Sequence, residues 1–246
     1  MMAAGMPKRP DYGIDAPGVL AMFFVLGALC LVFGPLVRPF AIGPVTFEFG
    51  HAPRIMGGIF LLEGVLMFVY VKVGKFRHRD RMLAQVPWTG GERVLDVGTG
   101  RGLLLIGAAK RLTTGHAVGI DIWSTKDLSG NAIERTRENV AMEGVSGAVE
   151  LRTEDASRMT FPEGSFDVVL SNLCIHNIPG RAGRDRACRE IARVLQPGGW
   201  AVISDYRLTR KYAAVFASEG FSVEWRGPFW GDTFPPLKMF VARKPS

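Results

Sequence analysis

Arg93-Val94-Leu95-Asp96-Val97-Gly98-Thr99-Gly100-Arg101-Gly102 joins an apolar run of strand length to a loop in which every second residue is glycine. Residues 93–98 read as a buried strand and residues 103–112 as the helix that follows. Glycine at such a strand-to-helix turn permits left-handed backbone and lets a ligand approach bare main chain. The spacing separates ligand classes. A dinucleotide fingerprint, GxGxxG, has its third glycine where this chain has Leu103, whereas Gly98, Gly100 and Gly102 make GxGxG. No Gly-Lys-Ser/Thr follows, which excludes the phosphate-cradling P-loop.

Downstream, apolar runs alternate with helical spacing. Residues 117–121, 148–152, 166–171, 200–205, 221–225 and 237–242 continue the strand series and, with 93–98, make seven strands. Helical spacing marks residues 131–143, where Asn131 precedes Glu134 in the manner of a capping box, and residues 184–195. Strands that are apolar throughout, with helices between them, indicate a parallel sheet covered on both faces. Pro228, Phe229, Trp230, Phe234 and Pro235 lie between the last two strands. This loop either roofs an apolar substrate, dips into lipid headgroups, or packs on itself.

Composition narrows the class. The 246 residues are 48% hydrophobic and the 30 glycines fall without a three-residue period, which excludes disordered and collagen-like chains. Cys30, Cys174 and Cys188 form no CxxC pair, so neither a disulfide framework nor a cysteine zinc site is expected, and no metal. A net charge of +7 does not choose among nucleic acid, membrane surface and acidic substrate.

The apolar excess sits at the front. Residues 18–37 carry no charge, and residues 55–71 carry only Glu63. About 20 apolar residues cross a bilayer as a helix, so both stretches are candidate spans of a membrane anchor over residues 1–74. Residues 38–54, rich in Gly and Pro, read as a loop or short hairpin. A cleaved signal peptide fits poorly, because a second apolar segment follows and no small-residue cleavage site stands out. A helical hairpin buried in a soluble domain is the other alternative. Lys8 and Arg9 before the first span, and Lys72, Lys75, Arg77, Arg79 and Arg81 after the second, place both ends on the cytoplasmic side; Arg38 and Arg54 weaken that bias without reversing it. The basic cluster after the second span either meets anionic headgroups or solvates the next helix.

The DxGxGxG turn, with an acid ending the next strand, resembles the class I S-adenosylmethionine-dependent methyltransferases over residues 75–244. Four further stations agree: Gly119-Ile120-Asp121, Glu154-Asp155-Ala156, the run FDVVLSNLCIHNI at 166–178, and VLQPGGW at 194–200. The segment 172–179 looks most like the branch that methylates small molecules, quinones and arsenite. The resemblance implies a seven-stranded Rossmann-like α/β domain over 75–246, with helices on both faces, preceded here by a transmembrane hairpin. It implies S-adenosylmethionine as cofactor. Gly98, Thr99, Gly100 and Gly102 would shape the methionine end, and Asp96 would hold the ammonium. Asp121 would accept the ribose hydroxyls, Ile122 or Trp123 would face adenine, and Asp155 would accept the adenine amino group, with Ala156 leaving room. Asn172 would border the methyl donor.

Methyl transfer from a sulfonium needs chiefly positioning, and a base only where the acceptor must lose a proton. His176 is the candidate base, and Asn172, at the end of the fourth strand, and Asp205, at the end of the fifth, are further catalytic candidates; a pocket-shaping role for His176 is the alternative. Cys174 invites comparison with thiol sites for arsenite, yet only Cys188 could join it, and a small buried residue is the simpler reading. The expected function is a membrane-anchored methyltransferase acting on a small or lipid-soluble acceptor, its catalytic domain in the cytoplasm. The alternatives are methylation of a lysine or N-terminal amine of a membrane protein, and a non-catalytic cofactor-binding assembly factor. The tetrad Ser171-Asn172-Leu173-Cys174 lacks the Pro-Pro-aromatic group of adenine or glutamine methylation, and no nucleic-acid partner is expected. The acceptor, its nucleophilic atom, the role of Glu63 and the oligomeric state stay open.

Overall fold

The computed structural model describes residues 9–246. Helices α1 (Pro17–Phe33) and α2 (Ala52–Val69) lie side by side, connected through a short hairpin of β1 (Phe40–Ile42) and β2 (Val45–Phe47). Their seam depends on small residues. A Cβ on Gly27 would stand 2.7 Å from the Leu61 side chain, and one on Gly57 2.8 Å from Leu31. Such seams let helix backbones pack closely where no hydrophobic effect drives them together. Both helices are long and apolar enough to cross a membrane, by length and composition. They are not core helices, since only 6% of the first apolar window and 28% of the second are buried.

The hairpin is tied to the rest of the chain twice. First, α2 passes through a π-turn (Tyr70–Gly74) directly into α3 (Lys75–Leu83), so the expected boundary after residue 74 falls within one helical run. Gly74 is required there, because a Cβ would overlap the Asp232 carbonyl oxygen. Second, residues 11–16 cross the α/β domain as a strap. Asp15 bridges Leu128, the Ala16 amide donates to Asp127 O at 2.8 Å, and Lys75 Nζ donates to Tyr12 O, Gly13 O and Asp15 Oδ2.

These ties correct the reading of the basic flank. Lys75 is buried by the strap, and Arg81 pairs with Asp232 at 2.6 Å. His78 is buried against Ser204 Oγ at 2.7 Å. Lys72 and Arg77 remain exposed. Lys8 lies outside the described residues.

The sheet contains β3 (Arg93–Val97), β4 (His116–Asp121), β5 (Val149–Thr153), β6 (Phe166–Asn172), β7 (Leu195–Asp205), β8 (Ser222–Phe229) and β9 (Leu237–Arg243), in the order β5-β4-β3-β6-β7-β9-β8. It is mixed, not wholly parallel: β9 runs antiparallel to both β7 and β8. A short connection without a helix, residues 230–236, joins β8 to β9, and only an antiparallel partner can be reached so directly. On one face α6 (Gly180–Val194) and α7 (Thr209–Ser218) bury Cys188, Ile191, Tyr212 and Phe216; on the other, α3 and α4 (Leu103–Ala109) bury Met82, Leu83, Leu104 and Leu105.

Helix details differ from the sequence reading. Helix α4 stops at Ala109 because the chain turns to bring the amides of Thr113, Thr114 and Gly115 onto the Gly90 carbonyl. Helix α5 (Ile133–Met142) is capped at Ala132 with no side-chain cap, so Asn131 does not form the expected capping box. Helix α7 has no counterpart in the sequence reading. Gly74→Ala is expected to cost about 2 kcal/mol by overpacking, a fall of roughly 4–8 °C in midpoint, measured by thermal unfolding in detergent.

Candidate active site

Open α/β sheets bind ligands beyond the carboxyl ends of their strands. There the structure encloses a cavity of about 720 Å³. Asp96, Gly98, Thr99, Gly100, Asp121, Ile122, Asn172 and His176, all expected site residues, line it together. Gly102, Trp123, Asp155, Ala156 and Asp205 do not line it. The Asp155 carboxylate accepts from the Ser157 amide and hydroxyl, and Ala156 is buried in the core. Trp123 donates its indole N–H to Thr153 Oγ1 at 2.8 Å.

Gly98, Gly100 and Gly102 have φ of 74°, 51° and 84°, so the loop uses the left-handed backbone that glycine favours. The protein itself also presses on this turn. A Cβ on Gly98 would overlap the Cys174 side chain, and one on Gly100 would approach Leu128 to 2.8 Å. Cys174 is thus a small packing residue against the loop. Burial, with the carboxylates of Asp121, Asp205 and Asp96, pushes its thiol well above the usual range and keeps it protonated.

The acids are positioned by different means. Asp96 is buried at the end of β3 and accepts from Thr99 Oγ1 at 2.9 Å; burial pushes its carboxyl up to about 7. Asp121, at the end of β4, accepts from the Gly100 amide at 2.8 Å, the Trp123 amide at 2.6 Å and Asn131 Nδ2 at 3.3 Å. Asn131, which lines the cavity and bonds Asp121, was not among the expected site residues. Its place in a loop beside the acid, ten residues on, was masked by its resemblance to a helix cap. Asp205, buried at the end of β7, holds His176: Nδ1 lies 2.9 Å from Oδ1 and 3.0 Å from Oδ2. The Tyr206 amide donates to the same carboxylate at 2.8 Å, and the Tyr206 ring meets the imidazole edge-on at 4.8 Å.

The remaining cavity wall comes from outside the sheet. Ala16, Val19, Phe23, Glu63, Met67 and Tyr70, from the apolar hairpin, line the same space. Phe234 of the β8–β9 loop reaches it too and packs edge-on against Phe23 at 6.3 Å, so this loop roofs the cavity.

A glycine turn after the first domain strand, an acid ending the second and a mixed seven-stranded sheet define a Rossmann-like methyltransferase fold. Residues 95–203 match the family described as a methyltransferase domain. Among curated proteins, the chain is 31% identical over 141 residues to 27-O-demethylrifamycin SV methyltransferase of Amycolatopsis mediterranei, covering 57% of this chain and 48% of that one. It is 32% identical over 161 residues to demethylmenaquinone methyltransferase of Symbiobacterium thermophilum, covering 65% and 57%. The chain thus spans about half the length of these relatives. Among solved structures, an S-adenosylmethionine-dependent methyltransferase from Mesorhizobium loti superposes with TM-score 0.53 at 17% identity, covering 67% of this chain and 96% of that one. The match over residues 95–203 and these relatives support methyl transfer with S-adenosylmethionine as cofactor. The site suits that cofactor on its own terms: Asn172 Oδ1 and Asn131 Oδ1 are buried beside the cavity with no hydrogen-bond partner among the described residues, and both can accept from a polar ligand.

Proposed function

We propose that this chain is a membrane-anchored methyltransferase that transfers a methyl group from S-adenosylmethionine to a small, lipid-soluble acceptor. One observation carries the reading: a single cavity runs from the glycine loop and His176 to Val19, Phe23 and Met67 on two apolar helices. The names of the two relatives, which specify demethylrifamycin SV and demethylmenaquinone, favour a small acceptor over a polypeptide. The outward faces of the hairpin, including Val25, Leu36 and Leu62, are exposed and apolar, as lipid-facing helices require. Lys72 and Arg77, on the exposed side beyond the second helix, favour a cytoplasmic catalytic domain.

S-adenosylmethionine supplies a methyl group already activated by its sulfonium charge. In this reading Asp96 meets the ammonium and Asp121 the ribose hydroxyls, with Asn131 holding Asp121 in place. Ile122, which lines the cavity, faces adenine, whereas Trp123, Asp155 and Ala156 lie outside the cavity wall and make no contact with it. Gly98, Thr99, Gly100 and Gly102 form the turn. Asn172 offers its unpaired carbonyl to the cofactor or the acceptor. A proton on His176 Nδ1 is donated to Asp205, which leaves Nε2 as the acceptor of a proton from the substrate and stabilises the imidazolium that results. Asp205 is a positioning residue.

Incubating the detergent-purified protein with radiolabelled cofactor and membrane extract is expected to place label in the lipid fraction; label confined to protein would overturn the small-acceptor reading. His176→Ala is expected to lower kcat by roughly 10²–10⁴ while cofactor affinity, read by calorimetry, stays unchanged. Equal losses in both would remove the base role. Asp96 supplies a pH signature. Below about 7 its carboxyl is neutral and above it charged, and a bound ammonium favours the charged form. Cofactor affinity therefore rises with pH, by up to about tenfold per unit, and levels off above that point. Asp96→Asn is expected to weaken binding and flatten this dependence.

A further inference from the structure

We propose that the acceptor is an amphiphile carrying a hydroxyl or amine that Glu63 binds at the apolar end of the cavity, while its methylated atom lies near His176. This rests on the methyl-transfer reading, because one molecule then occupies both ends of the space. Glu63 faces the cavity from the middle of α2, half-buried, and makes no hydrogen bond or ion pair with any described residue. A carboxylate at such apolar depth is costly without a partner. No described side chain supplies one, and the cavity is the route by which one can arrive.

The shape of the wall agrees. Glu63, Met67 and Tyr70 recur at helical spacing on one face of the α2 run, and Val19 and Phe23 do so on α1, with Ala16 just ahead of it, so two facing stripes bound the space. Apart from Glu63 and the Tyr70 hydroxyl, those stripes are apolar, which suits a hydrocarbon body between two polar ends. At 1.5 Å per residue, Glu63 stands roughly 10 Å along the helix from Tyr70. Tyr70 packs with Leu173 and Tyr206, the neighbours of Asn172 and His176. A substrate that reaches both ends is therefore elongated, on the order of 10 Å. A compact polar substrate leaves Glu63 unused.

Photolabelling of the full-length protein in phosphatidylcholine nanodiscs tests this, using diazirine-bearing dodecylamine, dodecanol and dodecane. The amine and the alcohol are expected to label α1 and α2 roughly tenfold more than dodecane, the worth of one charge-assisted hydrogen bond. Glu63→Leu is expected to abolish that excess, and Val19→Trp, which fills the cavity, to abolish labelling there by all three probes. Cofactor binding, followed by calorimetry, is expected to persist in both variants and so reports that they are folded. Equal labelling by all three probes in the wild type, or an excess that survives Glu63→Leu, overturns the inference. An excess that depends on Glu63 in protein that binds no cofactor supports the Glu63 site and sinks the methyl-transfer reading alone.

Discussion

The buried ammonium of Lys75 holds the two parts of this protein in one arrangement. An ammonium has three N–H donors, and here three oxygens receive them: the carbonyls of Tyr12 and Gly13 and the carboxylate of Asp15. Lys75 is 5% exposed, so this charge has given up water and depends on those partners. The arrangement fastens the strap ahead of α1 to the first residue of α3, just beyond α2. Both apolar helices therefore leave the catalytic domain from nearly the same point. Arg101, next to the glycine loop, extends the tie by donating to Asp11 Oδ2 at 2.6 Å, and Asn139 bonds the Asp11 backbone from α5.

This fastening puts an apolar wall against a polar site. The strap crosses the glycine loop and leads into α1, so Val19 and Phe23 arrive over the same space that Asp96 and Asp121 approach from the sheet. The acids at the three strand ends are kept apart in role by their surroundings. Asp96 is pushed toward neutrality by burial, Asp121 is fixed by two backbone amides and an asparagine, and Asp205 faces an imidazole. Fixed dipoles and a paired histidine, in a space roofed by Phe234, are the ingredients of a preorganised site.

The sheet was legible because its strands are short apolar runs punctuated by glycine and helix, a pattern that depends on local sequence. The GxGxG spacing and Asp121 were legible for the same reason. What escaped is non-local. In the basic cluster after the second apolar stretch, Lys75 and Arg81 owe their places to Asp15 and Asp232, and the neighbouring His78 to Ser204, all distant in sequence. The strap at 11–16 has no periodicity, since it is held by its backbone amides and carbonyls and by the carboxylates of Asp11 and Asp15. Asn131 showed a sound local pattern for a helix cap, but the helix is capped one residue later, at Ala132, and Asn131 Nδ2 donates to Ser124 O and Asp121 instead. The reversal of β9 follows from the missing crossover helix, which a reading by apolar runs does not weigh.

The π-turn between Tyr70 and Gly74 has a consequence for rotational phase. An α-helix advances about 100° per residue, so the azimuth of Glu63 and Met67 relative to Lys75 and Met82 is set by how the helical run is wound between them. The wider π-turn resets that angle by a fraction of a revolution, and Gly74 lets the rewound segment seat on Asp232. Adding or deleting one residue between positions 63 and 75 would swing the acid to another side of the rod while leaving every hydropathy plot unchanged.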